Sequence, residues 1–436
     1  MNKRLFIILS FLMVFSLVLA ACGGEEATEA PPTEEATEEV PMPEETEEPD
    51  TGMEGVPEEC ADNPDETACA VIEPGNTIKI GYAGPMTGDY SAFGIDISNA
   101  ELLAAQEAEP LNGFSFEVLV EDTQGSGEGG ASVANLYVSD PDVVAIAAHT
   151  FSGSTAAAIP IYEAALRPML SPSATRADLT QDNDIFNRIP FTDDIQGTNA
   201  AQYLYETLGL TKLAVMHDGD AYGKGLAEKV QEVFTELGGE VVAFEAITPG
   251  ETDYSAVLTD ISARGPEGIF YGGYYAEAAV IASNMPVAGL ADVVLFSDDG
   301  SFGASFIELA GDQAEGVYAT SALPPSSPER DAFDALYEET YGEVPGSLST
   351  FTWHGWDVVN ALISAISEVA VLGDDGNLYI PRQALVDAVN NLSGFEGLTG
   401  TISCSDGECN TAGPTFFIVQ DGEWVEAVGG AVVMPE

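Results

Sequence analysis

From residue 77 onward, short apolar runs alternate with longer amphipathic ones. The runs at 78–83, 115–121, 143–147, 212–217, 241–245, 268–272 and 293–296 are four to seven residues long and predict buried strands. Between them, helical spacing covers 93–107, 156–165, 197–208, 223–237, 254–264 and 276–287. Strands joined by helix-length connections predict βαβ crossovers and parallel sheets. Seven such units exceed one ordinary sheet, so the pattern predicts an α/β protein of two Rossmann-like lobes. Breaks at 191–197 (FTDDIQG) and in the Pro-rich 322–328 suit hinge crossings. Beyond them lie long helices at 352–371 and 382–391, then strands at 415–419 and 424–428, as if the chain revisits both lobes. The expected division is 77–194 with 323–402 as lobe 1, and 195–322 with 403–436 as lobe 2.

The chain before residue 77 follows another pattern. Residues 1–4 are short and basic, 5–21 are apolar apart from two serines, and Leu19-Ala20-Ala21 precedes Cys22. A basic start, an apolar stretch and small residues before a cut site predict a secretory signal over 1–21. This stretch of 17 residues falls short of the roughly 20 that span a bilayer. The Cys after the small residues resembles a bacterial lipobox, which implies lipidation at Cys22 and an extracytoplasmic, membrane-anchored protein in the periplasm or at the cell surface. Residues 22–76 are dominated by Glu, Thr, Pro and Ala in low-complexity order, which predicts an acidic, extended tether.

Charge sharpens this division. The chain has 436 residues, 73 acids and 12 bases, for a net charge of −61. Nineteen of the acids and no base fall in 23–76, leaving 54 acids against ten bases in 77–436. Nucleic acids and anionic membrane surfaces are bound through Lys and Arg, so both are poor partners here, and membrane attachment is through the lipid anchor only. The acidity of the body suits a solvated surface facing a saline or acidic exterior. With Cys22 lipidated, the close spacing of Cys60 with Cys69 and of Cys404 with Cys409 favours two local disulfides, although a bridge between the pairs stays open. No metal-ligand spacing accompanies them, and no metal or cofactor is expected.

Open α/β sheets bind ligands beyond the carboxyl ends of their strands. The loops placed there read His-Thr-Phe-Ser-Gly-Ser-Thr (149–155), Ser-Pro-Ser-Ala-Thr (171–175), His-Asp-Gly-Asp-Ala-Tyr-Gly (217–223), Tyr-Gly-Gly-Tyr-Tyr-Ala-Glu (271–277) and Ser-Asp-Asp-Gly (297–300). Hydroxyls and N–H donors on one lobe, facing aromatics and a carboxylate on the other, suit a small zwitterion. Each also has a plainer use. Ser152, Ser154 and Thr155 equally suit helix caps, Tyr222 and Tyr274 suit packed interface aromatics, and one of Asp298 and Asp299 suits a solvated loop acid or a cap.

These loops resemble, block by block, the leucine/isoleucine/valine-binding proteins, the substrate-binding components of bacterial branched-chain amino acid ABC importers. The blocks are GPMTGDYSAFG (84–94), HTFSGST (149–155), SPSATRADLT (171–180), HDGDAYGKGLAEKV (217–230), AITPGETDYSA (246–256), FYGGYYAE (270–277) and AGDQAEG (310–316). The resemblance implies a type I periplasmic-binding fold with three hinge crossovers, acting as a monomer that captures an amino acid and hands it to ABC permease subunits. It also implies site residues. Ser152 and Thr175 would hold the α-carboxylate, while the Ser173 carbonyl, the Thr175 hydroxyl and the Asp299 carboxylate would take the ammonium. Ala174 completes that turn. Tyr222 and Tyr274 would close from the second lobe, and Phe93, Phe151 and Phe351 would border the ligand side chain. Three departures bear on specificity. Asp299 stands where the branched-chain binders commonly carry Glu, Phe151 where some relatives have a disulfide-bonded cysteine, and Ser173 where a smaller Ala is usual. They point to a wider or more polar side-chain pocket. The same fold serves amides, urea and small organic acids, and sensory modules, which remain alternatives.

Catalysis has no support in the sequence. The three histidines are scattered, with neither HExxH nor GxSxG. The Gly-rich 125–130 lacks the Lys-Ser/Thr of a phosphate loop and suits a strand-to-helix connection.

Overall fold

A computed structural model describes residues 55–61, 67–409 and 413–428. The signal stretch, Cys22 and most of the tether lie outside the described residues. Among the described residues, no helix is long and apolar enough to cross a membrane.

Two seven-stranded sheets organise the chain. The first runs, edge to edge, Cys404–Ser405, Glu408–Cys409, Phe186–Arg188, Met169–Ser171, Val143–Ile146, Ile78–Gly84 and Phe116–Asp122. The second runs Glu423–Glu426, Thr415–Gln420, Tyr318–Ser321, Val294–Phe296, Gly268–Gly272, Lys212–His217 and Glu240–Ala246. The five strands ending each list, from Phe186–Arg188 and from Tyr318–Ser321 onward, pair in parallel. Helices cover both faces of such sheets, so their strands read as continuous apolar runs. All four residues of Val143–Ile146 and all five of Gly268–Gly272 are buried. Every strand expected from the pattern lies within one residue of its observed bounds at each end, except the last, expected at 424–428 and observed at Glu423–Glu426.

Side-chain caps set several helix starts. Thr192 accepts from the Ile195 amide before Asp193–Gln202, and Asp220 accepts from the Tyr222 amide before Ala221–Glu236. The helix Pro328–Tyr341 was not in the expected pattern. Ser327 caps it, proline opens it, and Gly342 ends it with φ of 75°. Its Tyr337 hydroxyl donates to Asp96 Oδ1 at 2.6 Å, which docks it on the helix Ser91–Glu107.

The chain crosses between sheets three times, after Arg188, after Ser321 and after Cys409. The last crossing falls later than the expected 403, because the hairpin of Cys404–Ser405 and Glu408–Cys409 extends the first sheet beside Phe186–Arg188. A second difference concerns the tether. Cys69–Ile72, inside the stretch assigned to it, forms a strand antiparallel to Leu378–Pro381. The run Cys-Ala-Val-Ile is apolar enough to bury, and the acidic residues around it mask that in any average over the segment.

Both local disulfides are formed, Cys60–Cys69 and Cys404–Cys409. The first closes a loop of sequence separation 9. Replacing both of its cysteines with serine should lower stability by about 2.5 kcal/mol, from loop entropy alone. Urea denaturation of the double variant against the parent checks this.

Candidate functional site

In the first sheet, Ile78–Gly84 lies between Phe116–Asp122 and Val143–Ile146, so the chain leaves it in opposite directions on its two sides. Lys212–His217 occupies the same place in the second sheet. Such switch points open a crevice at the carboxyl ends of the strands. A tight cavity of about 20 Å³ lies there, room for little more than a water molecule with the lobes in this position. Phe93, Thr150, Phe151, Ser152, Ser173, Thr175 and Phe351 line it from the first lobe, and Tyr222, Tyr274, Asp299 and Gly300 from the second. Nine of the ten expected ligand residues therefore meet in one space. Ala174, the tenth, is fully buried beside it and offers its carbonyl to Arg188 instead.

The first lobe supplies donors. Phe151 occupies the N-cap position of the helix Ser152–Ala164, and no side chain caps it, so the amides of the first turn have no side-chain acceptor there. Ser154 and Thr155 donate back to the Phe151 carbonyl at 2.9 and 2.8 Å, so neither is a cap. Ser152 Oγ accepts from the Arg176 amide at 3.3 Å, which ties the helix start to the turn carrying Ser173 and Thr175. Ser173 Oγ donates to the Thr150 carbonyl at 2.7 Å.

The second lobe supplies acid. Asp298 and Asp299 are both buried, so neither is the solvated loop acid that the sequence allowed. Gly303, with no side-chain cap, begins the next helix, Ala304–Ala310. The Tyr222 hydroxyl donates to Asp299 Oδ1 at 2.8 Å, and the Gln196 amide donates to the same oxygen. Burial pushes the Asp299 carboxyl up to about 6 against these two donors. Asp298 accepts from the Gly273 amide at 2.8 Å, and burial together with the Asp299 charge holds it well above the usual range. Gly300 packs backbone to backbone here, since a Cβ on it would fall 2.5 Å from the Gly273 carbonyl.

Aromatic rings join the two sides. Tyr90, Phe93 and Phe151 meet Tyr274 and Tyr275 with ring centroids 4.4–6.2 Å apart. The Tyr90 hydroxyl lies 3.1 Å from both Glu277 carboxylate oxygens, and the Tyr275 hydroxyl donates to the Asp89 carbonyl. The lobes are closed on each other. Phe151 fills part of the cavity, so the expectation of a wider pocket does not match this geometry.

Several contributors were missed. Thr150 and Gly300 line the cavity, Gln196 holds Asp299, and Asp193 is buried nearby, its carboxyl raised by burial and then by the Asp299 charge. Asp193 and Gln196 sit in FTDDIQG, which the sequence marked only as a hinge. Its amide donates to the Thr175 carbonyl at 2.9 Å, so the hinge and the donor turn are physically linked. Arg188 went unnoticed because a single Arg in a short strand carries no signal. None of the three histidines lines the cavity, and burial pushes His149 and His354 down to about 3.

A family model described as "Periplasmic binding protein" matches residues 77–422. A leucine-, isoleucine-, valine-, threonine- and alanine-binding protein of Pseudomonas aeruginosa is 31% identical over 278 residues, covering 61% of this chain and 74% of that one. A leucine-specific-binding protein of Salmonella typhimurium is 29% identical, covering 67% and 79%. Among solved structures, a leucine-binding protein from Thermotoga maritima superposes with a TM-score of 0.74 at 27% identity, covering 81% and 98%. A branched-chain amino acid transporter substrate-binding protein from Streptococcus pneumoniae, solved with isoleucine, gives 0.72 at 28% identity, covering 80% and 98%.

Proposed function

This chain belongs to the periplasmic binding protein family, and from that premise we propose that it captures an aliphatic amino acid between its lobes. It is a binding protein and not an enzyme. The observation that carries the reading is the polarity of the cavity. An uncapped helix start and hydroxyls lie on one lobe, and a buried carboxylate held only by neutral donors lies on the other.

In this reading the ligand carboxylate rests on Ser152 and Thr175, where hydroxyls and backbone N–H groups converge on negative charge. The ligand ammonium pairs with Asp299 and with the oxygens of Ser173 and Thr175. Tyr222 and Gln196 occupy Oδ1 of Asp299, leaving Oδ2 for the ligand. A small organic acid would meet the ionised Asp299 with like charge, which disfavours it. Closure around the ligand creates the surface that ABC permease subunits recognise, and Cys22 carries a lipid that anchors the protein outside the cytoplasm. Native mass spectrometry of the protein as purified, followed by a thermal-shift panel of the twenty amino acids, tests the ligand class. Stabilisation by aliphatic amino acids is expected, and stabilisation by none of the twenty would overturn the reading.

The raised Asp299 carboxyl adds a pH dependence. Only the ionised form pairs with an ammonium, so affinity should be full above about pH 6 and fall as pH drops below it. Roughly tenfold weaker binding at pH 5 than at pH 7 is expected by titration calorimetry. A flat profile would remove Asp299 from the ammonium site.

A further inference from the structure

Resting on the amino-acid reading above, we propose that Phe151 restricts the ligand to a small apolar side chain, of the glycine or alanine class. Phe151 directly precedes Ser152, the first residue of the helix whose N-terminus faces the cavity. Its ring is therefore fixed relative to the groups that hold the ligand carboxylate, and with the ammonium held at Asp299 the ligand side chain must run toward the aromatic wall.

That wall has little give. The Phe151 ring stands 4.4 Å from Tyr274, and it meets Phe93 and Tyr90 edge-on at 5.7 and 5.9 Å. Behind it lies the Gly125 backbone, where even a modest Cβ would come within 3.3 Å of the ring. Phe151 is 6% exposed and packed on these sides, so it has no empty space to swing into. Phe351, at 2% exposure and edge-on to His354, bounds the cavity just as rigidly. Because Phe151 and Tyr274 come from opposite lobes, a long side chain between them would hold the lobes apart.

The wall also offers few hydrogen-bond donors. The Thr150 hydroxyl is taken by Tyr82 at 2.8 Å, and Ser173 Oγ is spent on the Thr150 carbonyl. Both hydroxyls have committed their protons, so neither can donate to a polar group on the ligand side chain.

Titration calorimetry with glycine, alanine, valine and leucine on the wild type, Phe151→Ala and Phe151→Val tests this. The wild type should bind alanine or glycine about tenfold or more tighter than leucine, and both variants should move the leucine-to-alanine ratio at least about tenfold toward leucine. The ratio within one protein does not depend on how much of it is folded, and Phe151→Val serves if the alanine variant is too unstable. Tighter binding of leucine than of alanine by the wild type, or an unchanged ratio in the variants, would overturn the role of Phe151 alone. Binding of none of the four by any of the proteins would overturn both this inference and the amino-acid reading beneath it.

Discussion

Asp299→Asn should weaken amino-acid binding by roughly 2–5 kcal/mol, about thirtyfold to several-thousandfold, while leaving the ligand-free protein at least as stable. The two effects have one cause. Asp299 is 3% exposed, and Tyr222 and Gln196 give its charge neutral hydrogen bonds but no counter-charge. Burial disfavours the ionised form, as the rise of its carboxyl to about 6 reflects, and the hydrogen bonds offset only part of that. In the free protein, then, the charge is a cost. Asparagine keeps an acceptor for the Tyr222 hydroxyl and removes that cost. In the complex the same charge faces the ligand ammonium in a site closed from water, where a truncated partner is expensive. The variant should also lose the fall in affinity below pH 6. Calorimetric titration gives the affinity and urea denaturation the stability. A large loss of both together would mean that Asp299 is structural.

Arg188→Met should cost about 3 kcal/mol of stability and weaken ligand binding about tenfold or more. The Arg188 side chain is fully buried. It donates to Glu408 at 3.0 Å through Nε and 2.9 Å through Nη2, and to the carbonyls of Ala174, Arg176 and Ala177 at 3.0, 2.7 and 3.3 Å. One guanidinium thus holds the turn that presents Ser173 and Thr175 and fastens it to the hairpin closed by Cys404–Cys409. The Glu408 side chain is 40% exposed and can rehydrate, so the expected loss sits at the low end of the range for broken buried pairs. The three orphaned carbonyls account for most of it. Lysine cannot serve five acceptors with one ammonium, so Arg188→Lys should recover only a small share. Urea denaturation measures the stability, and calorimetry under conditions where the variant is folded measures the binding. Full affinity in a destabilised but folded variant would separate Arg188 from the donor turn.

The parallel strands were legible because burial on both faces leaves apolar runs with no competing period. Lys212–His217 and Gly268–Gly272 match their expected bounds. Elements set by pairing partners far along the chain were not. Glu408–Cys409 is a two-residue strand, fixed by its neighbour Phe186–Arg188 and by Arg188, and nothing local marks it. Cys69–Ile72 depends likewise on Leu378–Pro381, and acidic surroundings hide it. The site divides along the same line. Residues in loops directly after strands could be picked out, since topology alone places them at the crevice. Gln196 and Asp193 escaped, because they reach the site from a hinge helix whose approach only the folded chain defines. The neighbours of Phe151 escaped too. A change before the first helical turn suggested a different pocket, but the ring contact between Phe151 and Tyr274 across the lobes appears only in the folded chain.

The central claim is that both charged ends of an amino acid are recognised, one by each lobe. Calorimetric titration of the full chain with L-alanine and L-leucine, beside propionate, 4-methylpentanoate and the two amino-acid amides, tests it most directly. The analogues lack either the ammonium or the carboxylate and keep the side chain. The account predicts that at least one of the amino acids binds, and that each of its two analogues binds at least about thirtyfold more weakly, since each leaves buried charge or donors unpaired. Binding of a deaminated acid as tight as that of its parent amino acid would contradict it.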